Sequence, residues 1–320
     1  MAASHPFSLA RRAPQAALLP DGRRLHLQDG PIDLVIEAVG APDAVAQAYA
    51  VATERFTGLL DALCAELPVL RAAVRPGICT LKGIVARRMW HAVAPFAGEI
   101  FITPMAAVAG AVAEEVLVAL AIPGIARAYV NNGGDIALYL PAGARFSVGL
   151  VDRPDRPRVV GTAEITHDSL VRGVATSGWR GRSFSLGIAD AVTVLAPTAA
   201  MADAAATVIA NAVDLPGHHG VERTPACDIQ LDSDLGARRV TRHVPDLSPH
   251  DSAQALAAGL ACAEDLMRRG LICGAALHLQ GESVGTGSAF AHLGQDPFSA
   301  GVQAAIPFPT PQPEQGRPHA

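Results

Sequence analysis

The chain has 320 residues, of which 50% are hydrophobic and 17% are charged, and its formal net charge is −5 at pH 7. This composition indicates a globular protein with a sizeable core and excludes an intrinsically disordered chain. The acidic balance provides no general attraction to nucleic acid or to anionic lipid, so we expect neither nucleic acid nor a membrane as a partner.

The cysteines and the apolar segments indicate the compartment. The five cysteines are widely spread and form no Cys-x-x-Cys pair, which argues against a disulfide framework and against structural zinc. The N-terminal arginines have no apolar run behind them, so no signal peptide is predicted. The most apolar window, residues 105–122, contains Glu114 and Glu115 and predicts a buried helix rather than a membrane span. Together these features predict a cytoplasmic protein.

The first third of the chain predicts strands followed by helices. After a flexible start over residues 1–15, residues 16–40 alternate in polarity and predict two or three strands with tight turns. A helix capped by Asp43 is predicted over residues 43–67, and a shorter helix over residues 83–93. The basic residues of the shorter helix, which are Arg87, Arg88 and His91, either bind phosphate or are simply solvated.

An apolar helix rich in small residues is predicted over residues 104–120. Glu114 and Glu115 lie in its middle, and they either have a buried partner or occupy the outer face. The small residues allow another backbone or a ligand to approach closely. The helix can serve the core, or it can serve the interface of a homo-oligomer.

Residues 127–140 predict a strand that is interrupted by Asn131, Asn132, Gly133, Gly134 and Asp135. An Asn-Gly pair is a strong signal for a type I′ hairpin turn. Glycine inside a strand pattern also marks a bulge at which a ligand meets the backbone. The periodicity of the sequence does not separate these two interpretations.

Strands are predicted next over residues 146–152, 159–165 and 170–176, with a surface loop between the first two. Residues 177–183 then supply two glycines, two arginines and two serines within seven positions. Free amides, guanidinium groups and small side chains are what a phosphate-binding loop needs, although a plain turn has the same composition.

A helix made largely of alanine follows, with Thr198 as its predicted N-cap. One face of this helix is apolar, and the other presents Asp203, Thr207, Asn211 and Asp214. These four groups either face solvent or mark a ligand site, since a solvated face would normally carry longer charged side chains. Asp203 and Thr207 lie one turn apart and could contribute to the all-oxygen shell that Mg²⁺ requires.

The last third predicts a surface turn at His218-His219, a helix capped by Asp251 and ended by Gly270, and a closing strand or hairpin. We expect residues 1–292 to form a single α+β domain. Residues 293–320, which are rich in Pro, Gln and Gly, are expected to be a flexible tail.

Four segments, in this order, resemble the motifs of the ApbE-like superfamily, whose founding members are FAD:protein FMN transferases. They are 132–135 (NGGD), 176–178 (TSG), 191–194 (AVTV) and 202–207 (ADAAAT). The resemblance covers roughly residues 100–215. It implies an α+β fold of the ApbE-like, T-fold-related kind, with mixed or antiparallel sheets packed against helices. The end of the chain is similar to a cytosolic, poorly characterised branch of the superfamily.

The resemblance implies an enzyme that binds FAD and Mg²⁺, cleaves the FAD pyrophosphate and transfers FMN to a threonine of an acceptor protein. Asp203 and Thr207 match the metal ligands, and with Ser177 they form the expected catalytic set. Glu114 stands where the family has a flavin-binding aspartate. Together with the phosphate-loop interpretation, the expected cofactor-binding residues are Asn132, Gly133, Gly134, Asp135, Glu114, Thr176, Gly178, Arg180 and Arg182.

The sequence also departs from the family pattern. Ala109 replaces the lysine of the Lys-Gly-x-x-x-Asp motif, and Glu114 replaces its aspartate. Residues 182–190 stand where the family has a His-x-x-Asp-Pro-x-Thr-Gly segment. Three functions therefore stay open: an ApbE-type transferase with an altered substrate, a hydrolase-type metabolic enzyme acting on a small polar or heterocyclic compound, and a non-catalytic flavin or nucleotide binder.

Overall fold

The computed structural model describes residues 13–156 and 158–290, so the predicted tail at 293–320 and most of the predicted flexible start lie outside the described residues. The strands, in chain order, are β1 (Gln15–Leu18), β2 (Leu25–Asp29), β3 (Ile32–Gly40), β4 (Ile125–Asn132), β5 (Asp135–Tyr139), β6 (Arg145–Val151), β7 (Val159–Thr166), β8 (Gly173–Ser177), β9 (Ala191–Ala196), β10 (Glu222–Pro225), β11 (Arg239–His243), β12 (Gly274–Leu279) and β13 (Glu282–Thr286). The helices are α1 (Pro42–Phe56), α2 (Leu59–Ala65), α3 (Leu67–Leu70), α4 (Ile84–Val93), α5 (Val108–Leu117), α6 (Ala199–Ala212), α7 (Ala226–Ile229) and α8 (Pro249–Arg268).

One antiparallel sheet of nine strands organises the fold, in the order β1-β2-β3-β4-β5-β8-β9-β12-β13. The β6–β7 hairpin leaves the sheet, so β5 pairs directly with β8, with Ile136 opposite Val174. Helices α1, α4, α5, α6 and α8 cover one face of the sheet, and the β6–β7 hairpin covers part of the other. The predicted α+β class with antiparallel sheets is confirmed.

Two hydrophobic cores follow from the alternation of side chains along each strand. On β4, Ala128 and Val130 face the helices, whereas Tyr129 packs with the β6–β7 hairpin. Strand β9 is buried at every position, as expected of a central strand that is covered on both faces.

Helix α6 lies at the centre of the helical layer, and nine of its residues are buried. Its predicted N-cap is confirmed, because the amide N–H of Met201 donates to Thr198 Oγ1 at 3.2 Å. Alanines keep the helix thin, so α5, β8 and β9 approach its backbone closely. Helix α5 is also part of the core, with Ala111, Val112 and Val116 fully buried, and this position accounts for its apolar composition.

Several predicted helix boundaries were wrong. The helix predicted over residues 43–67 ends at Phe56, because Gly58 adopts a φ of 81° that breaks the helical path. Its N-cap is Ala41 rather than Asp43, since Pro42 occupies the first helical position.

The cap of α8 is also one turn earlier than predicted. Ser248 Oγ accepts from the amide N–H of Asp251 at 3.1 Å, so Asp251 is the third residue of the helix and not its cap. The helix predicted over residues 104–120 consists of α5 flanked by 3₁₀ turns at Pro104–Ala107 and Val118–Leu120. Within the part of the chain that the structure describes, no helix is long and apolar enough to cross a membrane.

The crossing of α5 over α6 depends on a glycine. A Cβ at position 110 would lie 2.2 Å from the carbonyl oxygen of Ala199 and 2.5 Å from its carbonyl carbon. Because these are backbone atoms at the start of α6, a rotamer change cannot remove the overlap. We expect Gly110→Ala to lower the free energy of unfolding by about 2 kcal/mol, although alanine favours the helix intrinsically.

Urea denaturation followed by circular dichroism measures this change. Gly259→Ala in α8 is the matched control, because there the added Cβ meets only the side chains of Val213 and Leu277, which can adjust. The control is expected to lose less stability. An unchanged or higher urea midpoint for Gly110→Ala would contradict the tight crossing.

Candidate active site

Two carboxylates, Asp135 and Asp203, meet where the β4–β5 turn approaches the start of α5. Asp135 Oδ1 accepts from the amide N–H of Thr176 at 3.2 Å, and Asp203 Oδ2 accepts from that of Gly110 at 3.0 Å. Asn132 Nδ2 donates to the carbonyl oxygen of Ala109 at 3.1 Å. These bonds fix the hairpin turn, α5 and α6 around one point. We call Asp135 and Asp203 the acid pair.

Burial destabilises the charged form of both carboxylates. It raises the pKa of Asp135 to about 7, against the opposing effects of the Thr176 amide and the positive charge of Arg182. Burial also raises the pKa of Asp203 well above its usual value, and the negative charge of Asp135 raises it further. Both residues are half-buried, so part of their surface stays accessible to solvent. Among the described residues neither forms an ion pair.

The donor groups fit a hard divalent cation. Thr207 follows Asp203 by one helical turn, and its hydroxyl makes no hydrogen bond with any described residue, whereas Asn211 and Asp214 on the same stripe bind neighbouring segments. Two carboxylates and a free hydroxyl form an all-oxygen set of the type that Mg²⁺ prefers. Within the described ranges no three His, Cys, Asp or Glu side chains cluster as metal ligands, so carbonyl groups and water would have to complete the shell.

Asp203 also has a structural role, because the first amides of a helix lack partners within that helix. Its carboxylate serves the first turn of α5, whose N-cap Ala107 offers no side-chain acceptor. In return, Glu114 of α5 accepts from the amide N–H of Ala200, in the first turn of α6, at 2.7 Å. The two helices therefore cap each other.

The β4–β5 connection is a two-residue turn. Asn132 pairs with Asp135 without any register shift, and Gly133 and Gly134 have φ values of 67° and 116°. Positive φ at both central positions agrees with the predicted type I′ geometry, and the alternative of a strand bulge is wrong. The amide N–H of Gly134 donates to Asn131 Oδ1 at 2.8 Å, which stabilises the turn.

Arg182 lies directly on this turn. A Cβ at position 133 would be 1.9 Å from Arg182 Nη2 and 3.1 Å from its Cζ. The absence of a side chain at Gly133 therefore makes room for the guanidinium group. Arg182 makes no hydrogen bond or ion pair with any residue that the structure describes. Its positive charge acts on Asp135, where it opposes the increase in the pKa.

Arg180, two residues earlier, has a different environment. Its Nε lies 2.5 Å from Asp190 Oδ1, and its guanidinium carbon lies 4.3 Å from the centroid of the Trp179 ring. Trp179 Nε1 also donates to Asp190, at 3.2 Å. Arg180 is thus an anchor of the loop that carries Arg182, and its charge is already paired.

The remaining predicted residues of β8 fall on different faces. Thr176 presents its backbone amide to the acid pair, but its hydroxyl bonds to Thr193 Oγ1 at 2.9 Å on the opposite face of the sheet. Ser177 is the next residue and therefore faces α6, and its hydroxyl has no partner among the described residues. Gly178 packs against the carbonyl oxygen of Asp190, where a Cβ would be 2.5 Å away.

Glu114 does not face the acid pair. Besides capping α6, it lies 2.9 Å from Arg88 Nε, so Arg88 is neither a phosphate ligand nor simply solvated. Both residues line a cavity of about 290 Å³ with Tyr139 and Arg172 at the far end of β5. All the charged groups of this cavity are paired with protein atoms. We therefore assign the candidate site to the acid pair, where charge is left unpaired.

Sequence reasoning missed two contributors to the site, which are the amides at the start of α5 and the carboxylate of Asp190. The polar stripe of α6 already included Asn211, whose Oδ1 accepts from the amide N–H of Leu186 at 2.8 Å. An aspartate directly before a buried strand was the available signal for Asp190. No sequence signal reports a backbone amide that is brought close by tertiary packing.

Comparisons with known proteins identify the family of this chain. The family model described as "AbpE bacteria" matches residues 16–285. A UPF0280 protein of Methanopyrus kandleri is 38% identical over 181 residues, which cover 56% of this chain and 69% of that protein. A UPF0280 protein of Methanothrix thermoacetophila is 37% identical over 130 residues, which cover 40% of this chain and only 52% of that protein.

Two solved structures are similar over most of their length. The apo flavinyl transferase ApbE of Pseudomonas stutzeri has 15% identity and a TM-score of 0.42, with 91% of this chain and 99% of that chain covered. A mutant of the flavin transferase ApbE from Vibrio cholerae has 11% identity and a TM-score of 0.41, with 88% and 98% covered.

Proposed function

Because the chain belongs to the AbpE bacterial family, we propose that it is a magnesium-dependent enzyme of the ApbE type that cleaves the phosphoanhydride of FAD or of a related nucleotide. The acid pair carries this proposal. Two neighbouring carboxylates that burial desolvates and that have no ion-pair partner among the described residues are costly in their charged forms unless a proton or a cation is bound.

Each residue of the site has a distinct task in this proposal. Asp203, Thr207 and Asp135 would hold Mg²⁺, and the backbone amides of Gly110 and Thr176 orient the two carboxylates. Bound there, Mg²⁺ would polarise the phosphoryl oxygens and offset the negative charge that develops on them. Ser177 faces the same side of the sheet and is proposed to position the phosphoryl group.

The proposed reaction is a phosphoryl transfer. The hydroxyl oxygen of a threonine on an acceptor protein forms a bond to the flavin-side phosphorus of FAD. The bond from that phosphorus to the bridging oxygen breaks, AMP leaves with the bonding electrons, and the hydroxyl proton passes to solvent. With water in place of threonine, the products are FMN and AMP.

Incubation of the purified protein with FAD and Mg²⁺, with and without a threonine-containing acceptor, tests the proposal. We expect FMN and AMP to appear on chromatography, and Asp203→Asn to reduce their rate of formation at least about 100-fold. Asparagine keeps an oxygen that can accept from the Gly110 amide, so the fold should survive. Asp265→Asn, at an exposed position of α8, is the control and should retain full activity. Absence of FAD cleavage by the folded wild-type protein would reject FAD as the substrate.

The contacts of Glu114 favour a second candidate, a hydrolase that acts on a different small phosphorylated or heterocyclic compound. The resemblance to ApbE proteins assigns flavin contact to this position, but both carboxylate oxygens of Glu114 are occupied by Ala200 and Arg88. Thermal-shift screening of nucleotides and small carboxylates with Mg²⁺ separates the candidates. Stabilisation by a non-flavin compound and not by FAD would support the hydrolase.

A further inference from the structure

A buried histidine on the opposite face of the sheet from the acid pair lacks a partner for one of its ring nitrogens. His278 of β12 faces the β6–β7 hairpin, on the same side as Ala276, and is 1% exposed. His278 Nδ1 lies 2.7 Å from Ser283 Oγ, whereas Nε2 has no hydrogen-bond partner among the described residues. A buried ring nitrogen without a partner destabilises the fold. Packing therefore does not explain why this position is a histidine.

The β12–β13 hairpin places Ser283 directly opposite His278. The His278 carbonyl oxygen accepts from the amide N–H of Asp190 at 2.9 Å, so the backbone groups of His278 point toward β9. In an antiparallel pair of this kind, the opposite residue directs its own N–H and C=O away, and the two side chains approach closely. The backbone N–H of Ser283 therefore lies on the outer side of β13, which pairs with no described strand other than β12.

The turn between these two strands is held in an unfavourable conformation. Gln280 has a φ of 49° and is the only non-glycine residue with positive φ in the described part of the chain. Its amide N–H donates to Asp190 Oδ2 at 2.6 Å, and its side chain binds two backbone groups of residues 245–247. Such strain persists only where surrounding contacts enforce it. Here these contacts maintain the register that places Ser283 against His278.

The environment of His278 favours the neutral imidazole, which can act as a base. Burial lowers the pKa of His278 below its ordinary value, so the ring is uncharged at pH 7. The negative charges of Asp152 and Asp190 oppose this shift, and they would stabilise the ring once it takes up a proton. Ser283, in contrast, is exposed, so its hydroxyl is accessible to small molecules from solvent.

We propose that Ser283 is the nucleophile of a second catalytic site, with His278 as its base, which hydrolyses small activated carboxylic esters. An exposed hydroxyl bonded to a neutral imidazole is the arrangement that acyl transfer to serine requires. The backbone N–H of Ser283, on the open side of β13, can donate to the ester carbonyl oxygen as negative charge develops there. This site is separate from the acid pair and does not depend on the proposed phosphoryl chemistry.

The proposed reaction has two steps. Ser283 Oγ forms a bond to the carbonyl carbon of the ester, and the hydroxyl proton passes to His278 Nδ1. The bond from that carbon to the ester oxygen breaks, and the alcohol leaves with the bonding electrons and takes the proton from Nδ1. Water then attacks the acyl group, one of its protons passes through Nδ1 to Ser283 Oγ, and the carboxylic acid is released.

Incubation of the purified protein with p-nitrophenyl acetate tests the proposal. We expect a burst of p-nitrophenolate, and peptide mass spectrometry should locate the acetyl group on Ser283. Ser283→Ala should remove this acetyl group. His278→Gln should slow the acetylation of Ser283 at least about 100-fold, because the general base is lost. Ser169→Ala is the control and should be acetylated like wild type, since Ser169 Oγ donates to a backbone carbonyl oxygen, that of Thr166, at 2.8 Å.

Ser283→Cys provides a second measurement that leaves the histidine in place. Iodoacetamide should alkylate the introduced thiol at least about 10-fold faster than the exposed Cys64, because a neighbouring imidazole favours the thiolate. If His278→Gln does not fold, this comparison decides. Acetylation at other residues but not at Ser283, an unchanged rate in folded His278→Gln, or a thiol no more reactive than Cys64 would each overturn the inference.

Discussion

Replacing Glu115 by alanine is expected to lower the free energy of unfolding by about 3 kcal/mol, the low end for a buried ion pair, because it leaves two partly solvated guanidinium groups without their shared carboxylate. Glu115 Oε1 lies 2.5 Å from Arg55 Nη2, and Oε2 lies 2.8 Å from Arg88 Nη1. The Glu115 side chain is 5% exposed, whereas those of Arg55 and Arg88 are 36% and 24% exposed, so water can solvate the two arginines only in part. Arg55 Nε also donates to the Glu115 carbonyl oxygen at 2.9 Å.

Chemical denaturation in urea measures this loss, with Glu164→Ala as the control. Glu164 forms an ion pair with Arg145 at 3.5 Å, but both side chains are more than half exposed. Water and salt screen such a pair, so its removal should cost less than about 1 kcal/mol. Comparable urea midpoints for the two variants would show that the Glu115 contacts contribute no more than a surface pair.

The effect of Glu115 extends beyond its own ion pairs. Arg88 also binds Glu114, which caps the first turn of α6, so one connected network joins α1, α4, α5 and α6. Glu115→Ala leaves Arg88 with only Glu114 as a carboxylate partner and should also loosen the start of α6. The network thus stabilises α6, the helix that carries Asp203 of the acid pair.

The parts of this fold that were predictable from the sequence depend on local signals. Thr198 precedes an alanine-rich run and caps it, and the two glycines after Asn132 require positive φ and make a hairpin turn. The break at Gly58 is also local, but the apolar residues on either side of it continue a helical pattern. Periodicity therefore predicted one long helix where the chain forms separate ones.

The parts that were not predictable depend on tertiary contacts. Arg180 and Arg182 are chemically identical and two residues apart, and only the position of Asp190 decides which of them is paired. Glu114 carries the same kind of carboxylate as Asp203, but it is neutralised by Arg88, whereas Asp203 faces Asp135. Charge balance within the folded protein, rather than residue type, separates binding groups from structural ones.

Asp135→Asn is expected to stabilise the metal-free protein at pH 8 by about 2 kcal/mol, and to abolish its stabilisation by Mg²⁺. The folded state raises the pKa of Asp135 from 3.8 to about 7, so between these values the folded protein holds a proton that the unfolded chain has lost. The contribution of Asp135 to the stability of the metal-free wild type therefore falls as pH rises from 4 to about 7. The full shift corresponds to about 4 kcal/mol, and because Asp135 is only half-buried, solvent screening reduces this value.

Thermal denaturation between pH 5 and pH 8, with and without Mg²⁺, tests this argument. Asparagine removes the titrating group but keeps an oxygen that can accept from the Thr176 amide, so the variant should show a flatter pH dependence. In the wild type, Mg²⁺ should stabilise more at pH 8 than at pH 5, since the cation competes with the proton for the same carboxylate. Asp265→Asn, at an exposed position, should behave like wild type. A Mg²⁺ response of Asp135→Asn equal to that of wild type would exclude Asp135 as a ligand and leave Asp203 to hold the cation without it.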